Sequence, residues 1–268
     1  MQIQMFAAFS IACDDGIGRV DRSTLPQQTL MELFVFGLND PEKICGNRED
    51  PVDVCEWEGV NCNDDGEVEE FEWVFNQADG AGTLGFEFLP CSMKTLDMFM
   101  NALSGTIQLA DLPMKIEQLY FYENKLTGSL DLDRLPAVVR ALNLSRNKFT
   151  GEVSLENLPK CLEYLTLFEN QLSGTICLTS LSPAFKDLAL EKNNFDGSLD
   201  FTRLPKSIRK MFLQENRFSG TIDLGNLPKT MTVVNLRNNA LNGTVRVPPG
   251  LRAFLDGNDE LTVERIEE

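Results

Sequence analysis

From residue 71 to residue 243 the apolar positions return on one schedule. Counted from an asparagine, they fall at −8, −5, −3, +2, +6, +8 and +11, with a glycine at +4. The asparagines are Asn76, Asn101, Asn124, Asn147, Asn170, Asn193, Asn216 and Asn239; from Asn101 onward each step is 23 residues, and the first is 25. A fixed period of this length is one supersecondary unit stacked on itself. The −5 and −3 residues share one face of a short strand, because strand side chains alternate. Stacking then makes a parallel sheet whose −5/−3 pairs fill the interior. The asparagine ends the strand, and its amide can bond turn groups that would otherwise be buried unpaired. Stacked, Asn101, Asn124, Asn147, Asn170, Asn193, Asn216 and Asn239 form a structural ladder. The glycine permits a turn or a close backbone approach. A Leu-Pro pair usually follows at +11 (Pro113, Pro136, Pro159, Pro205 and Pro228), slipping one place to Pro183 after Leu181. Proline lacks a donor and biases its predecessor away from helix, so the far side is extended. The expectation is a solenoid with a parallel sheet on the concave side and little helix on the convex side. Eight coils at ~4.8 Å per strand give a concave sheet about 40 Å long. Phe149, Phe195 and Phe218, at +2, stack as an interior column.

A solenoid must hide its end coils. Upstream, 27–38 reads as a short amphipathic helix, stopped by Asn39-Asp40-Pro41. Then come Cys55-Glu56-Trp57-Glu58-Gly59-Val60-Asn61-Cys62 and a turn at Gly66. Downstream, Leu255-x-x-Asn258-x-x-Leu261 reads as a shortened coil with a charged tail. The repeat LxxLxLxxNxLxG resembles the leucine-rich repeat family over about 68–247. The cysteine motif resembles that family's plant-type N-terminal cap. The resemblance implies an α/β-type solenoid bent into a right-handed arc, with a short cap helix. It divides the chain into an N-terminal segment and disulfide-bearing cap (1–67), eight repeats (68–247) and a shortened C-terminal capping coil (248–268). It also implies a bridge between Cys55 and Cys62, and it makes Cys13 and Cys45 the candidates for a second. Val54 stands where the family usually has another cysteine, and Cys45 is not where the family's cysteine would be.

Composition narrows the chemistry. There is no histidine, which removes every His-dependent nucleophile, base and metal site. The net charge is −17, the wrong sign for a nucleic-acid footprint or for adsorption to anionic lipid. Residues 1–92 hold 19 acidic and 4 basic residues, whereas 93–268 are nearly neutral, so the acidity belongs to the N-terminal region. It serves either solubility or the steering of a partner. No apolar run is long enough to span a bilayer. Residues 3–12 read either as a signal remnant or as an ordered first segment. The cap motif implies a non-cytosolic compartment, secreted or in an organelle lumen.

Three motifs carry weaker chemistry. Gly80-Ala81-Gly82-Thr83-Leu84-Gly85 matches GxGxxG but runs on into Pro90 without a helix, inside the acidic stretch. It reads as a loosened convex loop where the first repeat is two residues longer. Asn61-x-Asn63-x-Asp65-Gly66 approaches a calcium loop, but a hairpin turn explains the same residues. Two glycosylation sequons, at Asn143 and Asn242, match chance. No metal, cofactor or catalytic residue is expected.

The −4 and −2 positions alternate with the core pair and so face outward on the concave sheet. Phe99, Tyr120, Tyr122, Phe168 and Phe212 occupy five of these sixteen positions, where the chain's 9% aromatic share gives about 1.4. Tyr164, at −6, points the same way, and Val74, Phe75 and Met100 extend the patch toward the acidic cap. A contiguous apolar patch marks an interface. The expectation is a non-catalytic scaffold holding a protein or peptide on this face. The alternatives are an accessory subunit of a larger complex, organellar or membrane-associated, and an enzyme-inhibitor-like extracellular repeat protein.

Overall fold

The computed structural model describes residues 22–265, so Cys13 lies outside the described residues. The cap comes first. Helix α1, Gln27–Val35, buries Leu30, Met31, Phe34 and Val35. Phe34 meets Phe71 and Phe86 edge-on, with ring centroids 6.2 and 6.0 Å away. Two glutamines tie α1 to the next segments. Gln27 accepts from the Val68 N–H at 2.8 Å and donates to the Gly66 carbonyl. Gln28 accepts from the Val54 N–H at 2.7 Å. A disulfide joins Cys55 to Cys62. Among the described residues Cys45 is a free, buried thiol, and its candidate partner Cys13 lies outside them. Cys45 sits on a one-turn helix, Glu42–Cys45, packed into the cap core, where burial pushes the thiol up from its ordinary value.

Strand Val60–Cys62 runs antiparallel to Val68–Glu72 across the turn at Asn63–Gly66, so the calcium-like motif is a hairpin. The Asn63 side chain closes it, accepting from the N–H groups of Asp65 and Glu67. This hairpin covers one edge of a ten-stranded sheet that would otherwise expose unpaired backbone. From Val68–Glu72 onward the sheet is parallel, one strand per coil, ending at Arg252–Phe254. Its register is the sequence period: Leu96, Leu119, Leu142, Leu165, Leu188, Met211, Val234 and Ala253 stand side by side, all buried. We number the coils by their asparagines, from coil 1 (Asn76) to coil 9 (Asn258).

The asparagine bonds explain why the period is kept. In coil 4, Asn147 donates to Phe121 O of the preceding coil (2.8 Å) and to Leu144 O of its own (3.1 Å). It accepts from Leu126 N–H of the preceding coil at 3.0 Å. The same pattern recurs at Asn124, Asn170, Asn193, Asn216, Asn239 and Asn258. In each of coils 1–8 the residue before the asparagine is a non-glycine at positive φ, 52–61°, from Phe75 to Asn238. That conformation costs an L-residue roughly 1–2 kcal/mol, and the amide bonds on either side hold it.

The far side is built from turns. The carbonyl of each in-phase proline accepts from the N–H three residues on, as Pro113 O does from Ile116 at 3.1 Å. Where the proline slips to Pro183, Ser182 O takes the role with Phe185 N–H at 3.1 Å. The turn needs that carbonyl rather than the ring, so the slip is tolerated. Short 3-10 turns such as Leu109–Asp111, Leu132–Arg134 and Leu178–Ser180 supply the little helix there.

A second, seven-stranded parallel sheet runs from Thr127–Gly128 to Glu260–Arg265 behind the asparagines, and the sequence reading did not anticipate it. Of the GxGxxG segment, Gly80–Gly82 end strand Gln77–Gly82, which pairs with Asn101–Leu103 around an irregularity that absorbs the two extra residues, and Thr83–Gly85 lie beyond it. Gly82, at φ 128°, lies so close to Gly37 and Leu38 that a Cβ would stand 2.3 Å from Gly37 O. Phe195 and Phe218 stack in the interior with centroids 6.3 Å apart.

Candidate functional site

The concave surface is made by alternation. At each strand the −5 and −3 residues go inward, leaving −6, −4 and −2 outward. Phe99, Tyr120, Tyr122, Phe168 and Phe212 are half-buried there, while Tyr164 is 38% and Phe75 61% exposed. Phe75 packs edge-on against Phe99 (4.6 Å), and Phe99 stacks flat on Tyr122 (4.5 Å, 7°). Met100 adjoins them, its N–H donating to Tyr122 O at 3.0 Å. Backbone ladders thus bring the rings of coils 1–3 into one stack, with half-buried Val74 beside it. Tyr120 donates its hydroxyl to Gln118 at 2.8 Å.

The remaining aromatics stand apart from that stack. Coil 4 carries Ala141, Asn143 and Ser145 in the same three columns, so the aromatic run is interrupted. Tyr164, Phe168 and Phe212 form a second group on coils 5–7. Cations from the chain lie over two of these rings: Arg146 over Phe168 at 5.7 Å and Lys186 over Tyr164 at 5.5 Å. Coil 9 adds Phe254 at −4, with Arg237 over its ring at 4.6 Å. The sequence reading missed Phe254 because the last step, Asn239 to Asn258, is 19 residues; counting back from Asn258 recovers it.

Two charged rows border the face. Along the −1 row, Arg146 binds Glu123 (3.1 Å) and Glu169 (2.9 Å). Along the −7 row, Lys94 pairs with Glu69 (2.7 Å), and Glu163 takes both Arg140 (2.7 Å) and Lys186. Lys186 and Arg140 hold the Glu163 carboxyl below the ordinary carboxylate range. Two carboxyls on the face itself go the other way. Burial, reinforced by Glu72, pushes Asp97 up to about 6, against a bond from the Phe99 N–H. Burial also pushes Glu191 up to about 7, with Lys192 opposing and Glu215 and Glu169 reinforcing. Among the described residues no group of His, Cys, Asp and Glu side chains is arranged to hold a metal ion. Among the described residues no helix is long and apolar enough to cross a membrane.

No protein-family model and no curated protein sequence matches the chain. Solved structures do. The PEPR1–AtPEP1 crystal structure is 25% identical over 85% of this chain, with a TM-score of 0.67. YopM from Yersinia enterocolitica is 26% identical over 74%, with a TM-score of 0.54. The LRR ectodomain of the Arabidopsis receptor kinase HAESA, in complex with an extended IDA peptide hormone, is 19% identical over 90%, with a TM-score of 0.51. The chain spans 34%, 39% and 53% of those three chains, so it matches a part of each. Period, asparagine ladder and parallel-sheet solenoid together give this chain the leucine-rich repeat fold that these structures share.

Proposed function

We propose that the chain is a non-catalytic scaffold that holds a protein or peptide on its concave face. The observation that carries this reading is the Phe75–Phe99–Tyr122 stack, half-buried to exposed, on a rigid sheet. Aromatic side chains anchor interfaces because they give large contact area for little lost freedom. The HAESA ectodomain holds a peptide hormone, which supports the same use of this fold here. The Cys55–Cys62 bridge supports a non-reducing compartment, extracellular or luminal.

The test is affinity capture from native extract with the intact chain. Tyr122→Ala with Phe168→Ala removes one ring from each group while leaving the −5/−3 core untouched. The double change is expected to cost at least ~2 kcal/mol of binding, roughly 30-fold. Glu156→Gln, on the far side, is the control. Asp200 is unsuited to that role because it caps a turn, accepting from Thr202 N–H at 2.8 Å. Loss of capture in the control with full capture by the double variant would place the partner elsewhere.

A further inference from the structure

The second aromatic group surrounds an imbalance of hydrogen-bonding groups. Glu191 and Gln214 occupy the −2 position of neighbouring coils 6 and 7, brought side by side by the Lys192 N–H bond to Gln214 O (3.0 Å). Glu191 Oε2 and Gln214 Oε1 are buried acceptor atoms that receive no hydrogen bond from the chain. A buried acceptor left unpaired keeps its full desolvation penalty, so two adjacent ones favour an incoming donor. The rest of the neighbourhood suits a cationic donor. Phe168, in the same column on coil 5, already carries the Arg146 guanidinium over its ring. Phe212 lies on coil 7, and its neighbour in register on coil 6 is the small side chain of Ala189, which leaves the sheet low between Thr166 and Phe212. Burial has pushed the Glu191 carboxyl up to about 7, which a bound positive charge would reverse.

We infer that this floor, framed by Phe168, Glu191, Gln214 and Phe212, receives an arginine side chain of the segment docked on the concave face. A guanidinium supplies several N–H donors in one plane, enough to reach both acceptors while its face lies on an aromatic ring. The inference rests on the docking reading above and adds the chemistry of the partner: a segment with an arginine beside apolar or aromatic residues.

The probe is a fluorescein-labelled hexapeptide of alternating phenylalanine and arginine. It is compared with the same peptide bearing citrulline, which keeps the shape and loses the charge, or glutamate. Anisotropy is read with the intact chain at about physiological salt, where long-range attraction is screened. The arginine peptide is expected to bind at least tenfold tighter than the citrulline peptide. Glu191→Gln should bring that ratio to within about threefold, whereas Glu156→Gln, which removes the same charge on the far side, should leave it unchanged. Gln214→Leu, with folding checked by circular dichroism, should weaken the arginine peptide and spare the citrulline one. Equal binding of arginine and citrulline peptides, or a ratio untouched by Glu191→Gln, overturns the inference. If such binding still depends on Tyr122 and Phe168, the docking reading survives. If none of the three peptides binds, the concave docking reading falls and the arginine site with it.

Discussion

Asn147 bonds two coils with one amide, and Leu126 N, Phe121 O and Leu144 O have it as their shared partner. Leucine there matches the volume roughly and supplies none of those bonds. Asn147→Leu should therefore cost about 3 kcal/mol, from several buried groups at about 1–3 kcal/mol each after relaxation. Amide exchange should quicken at Leu126 and its neighbours and stay unchanged in coils 7–9; a uniform loosening would refute the nearest-neighbour role. Glu191 makes a second prediction at this scale. Its folded value, about 7, lies above its ordinary 4.5, so the folded chain binds the proton more tightly than the unfolded one. That contribution to stability is complete below about 4.5 and is lost as pH rises through about 7. Discounted for the partly open face, it is of the order of 1–2 kcal/mol. Glu191→Gln should leave urea stability unchanged at pH 4 and raise it by about that amount at pH 8. A difference that grows toward acid would give the opposite sign and refute it.

At the scale of elements, the cap behaves as a separate closure. The bridge closes the short loop between Cys55 and Cys62, worth about 2–3 kcal/mol in the chain-entropy view. Cys62→Ser should quicken exchange along α1 and the first hairpin while coils 5–9 keep their protection; no change along α1 would mean that packing alone holds the cap. Which elements could be read in advance follows from the source of each signal. The concave strands were legible because leucines at −5 and −3 must be buried together. The second sheet was not, because its strands carry exposed threonines such as Thr127, Thr150 and Thr175 around positive-φ glycines. Backbone bonds define it, and they leave no apolar alternation. The outward columns were legible, but the break at coil 4 was blurred by counting aromatics rather than following each column. The orphaned oxygens of Glu191 and Gln214 had no sequence signal, since an exposed polar pair reads as ordinary surface.

Across the whole molecule the two ends are unlike. The N-terminal edge is closed by an antiparallel strand, a helix and a disulfide. The C-terminal edge is held by Arg252–Phe254, by Glu260–Arg265 and by one asparagine, Asn258. Stretched between its termini, the chain becomes a ratchet with a preferred direction. Coils should peel from the C-terminal side one at a time, those between Asn101 and Asn239 each releasing 23 residues. At ~3.4 Å per residue, less the ~4.8 Å the folded coil occupied, each release lengthens the tether by roughly 75 Å. Single-molecule force traces should show evenly spaced rips of that size, with the last and strongest from the cap. Reductant should lengthen only that last rip, by freeing the contour hidden between Cys55 and Cys62. A single all-at-once rip would mean that the coils share one barrier instead of passing the load from neighbour to neighbour.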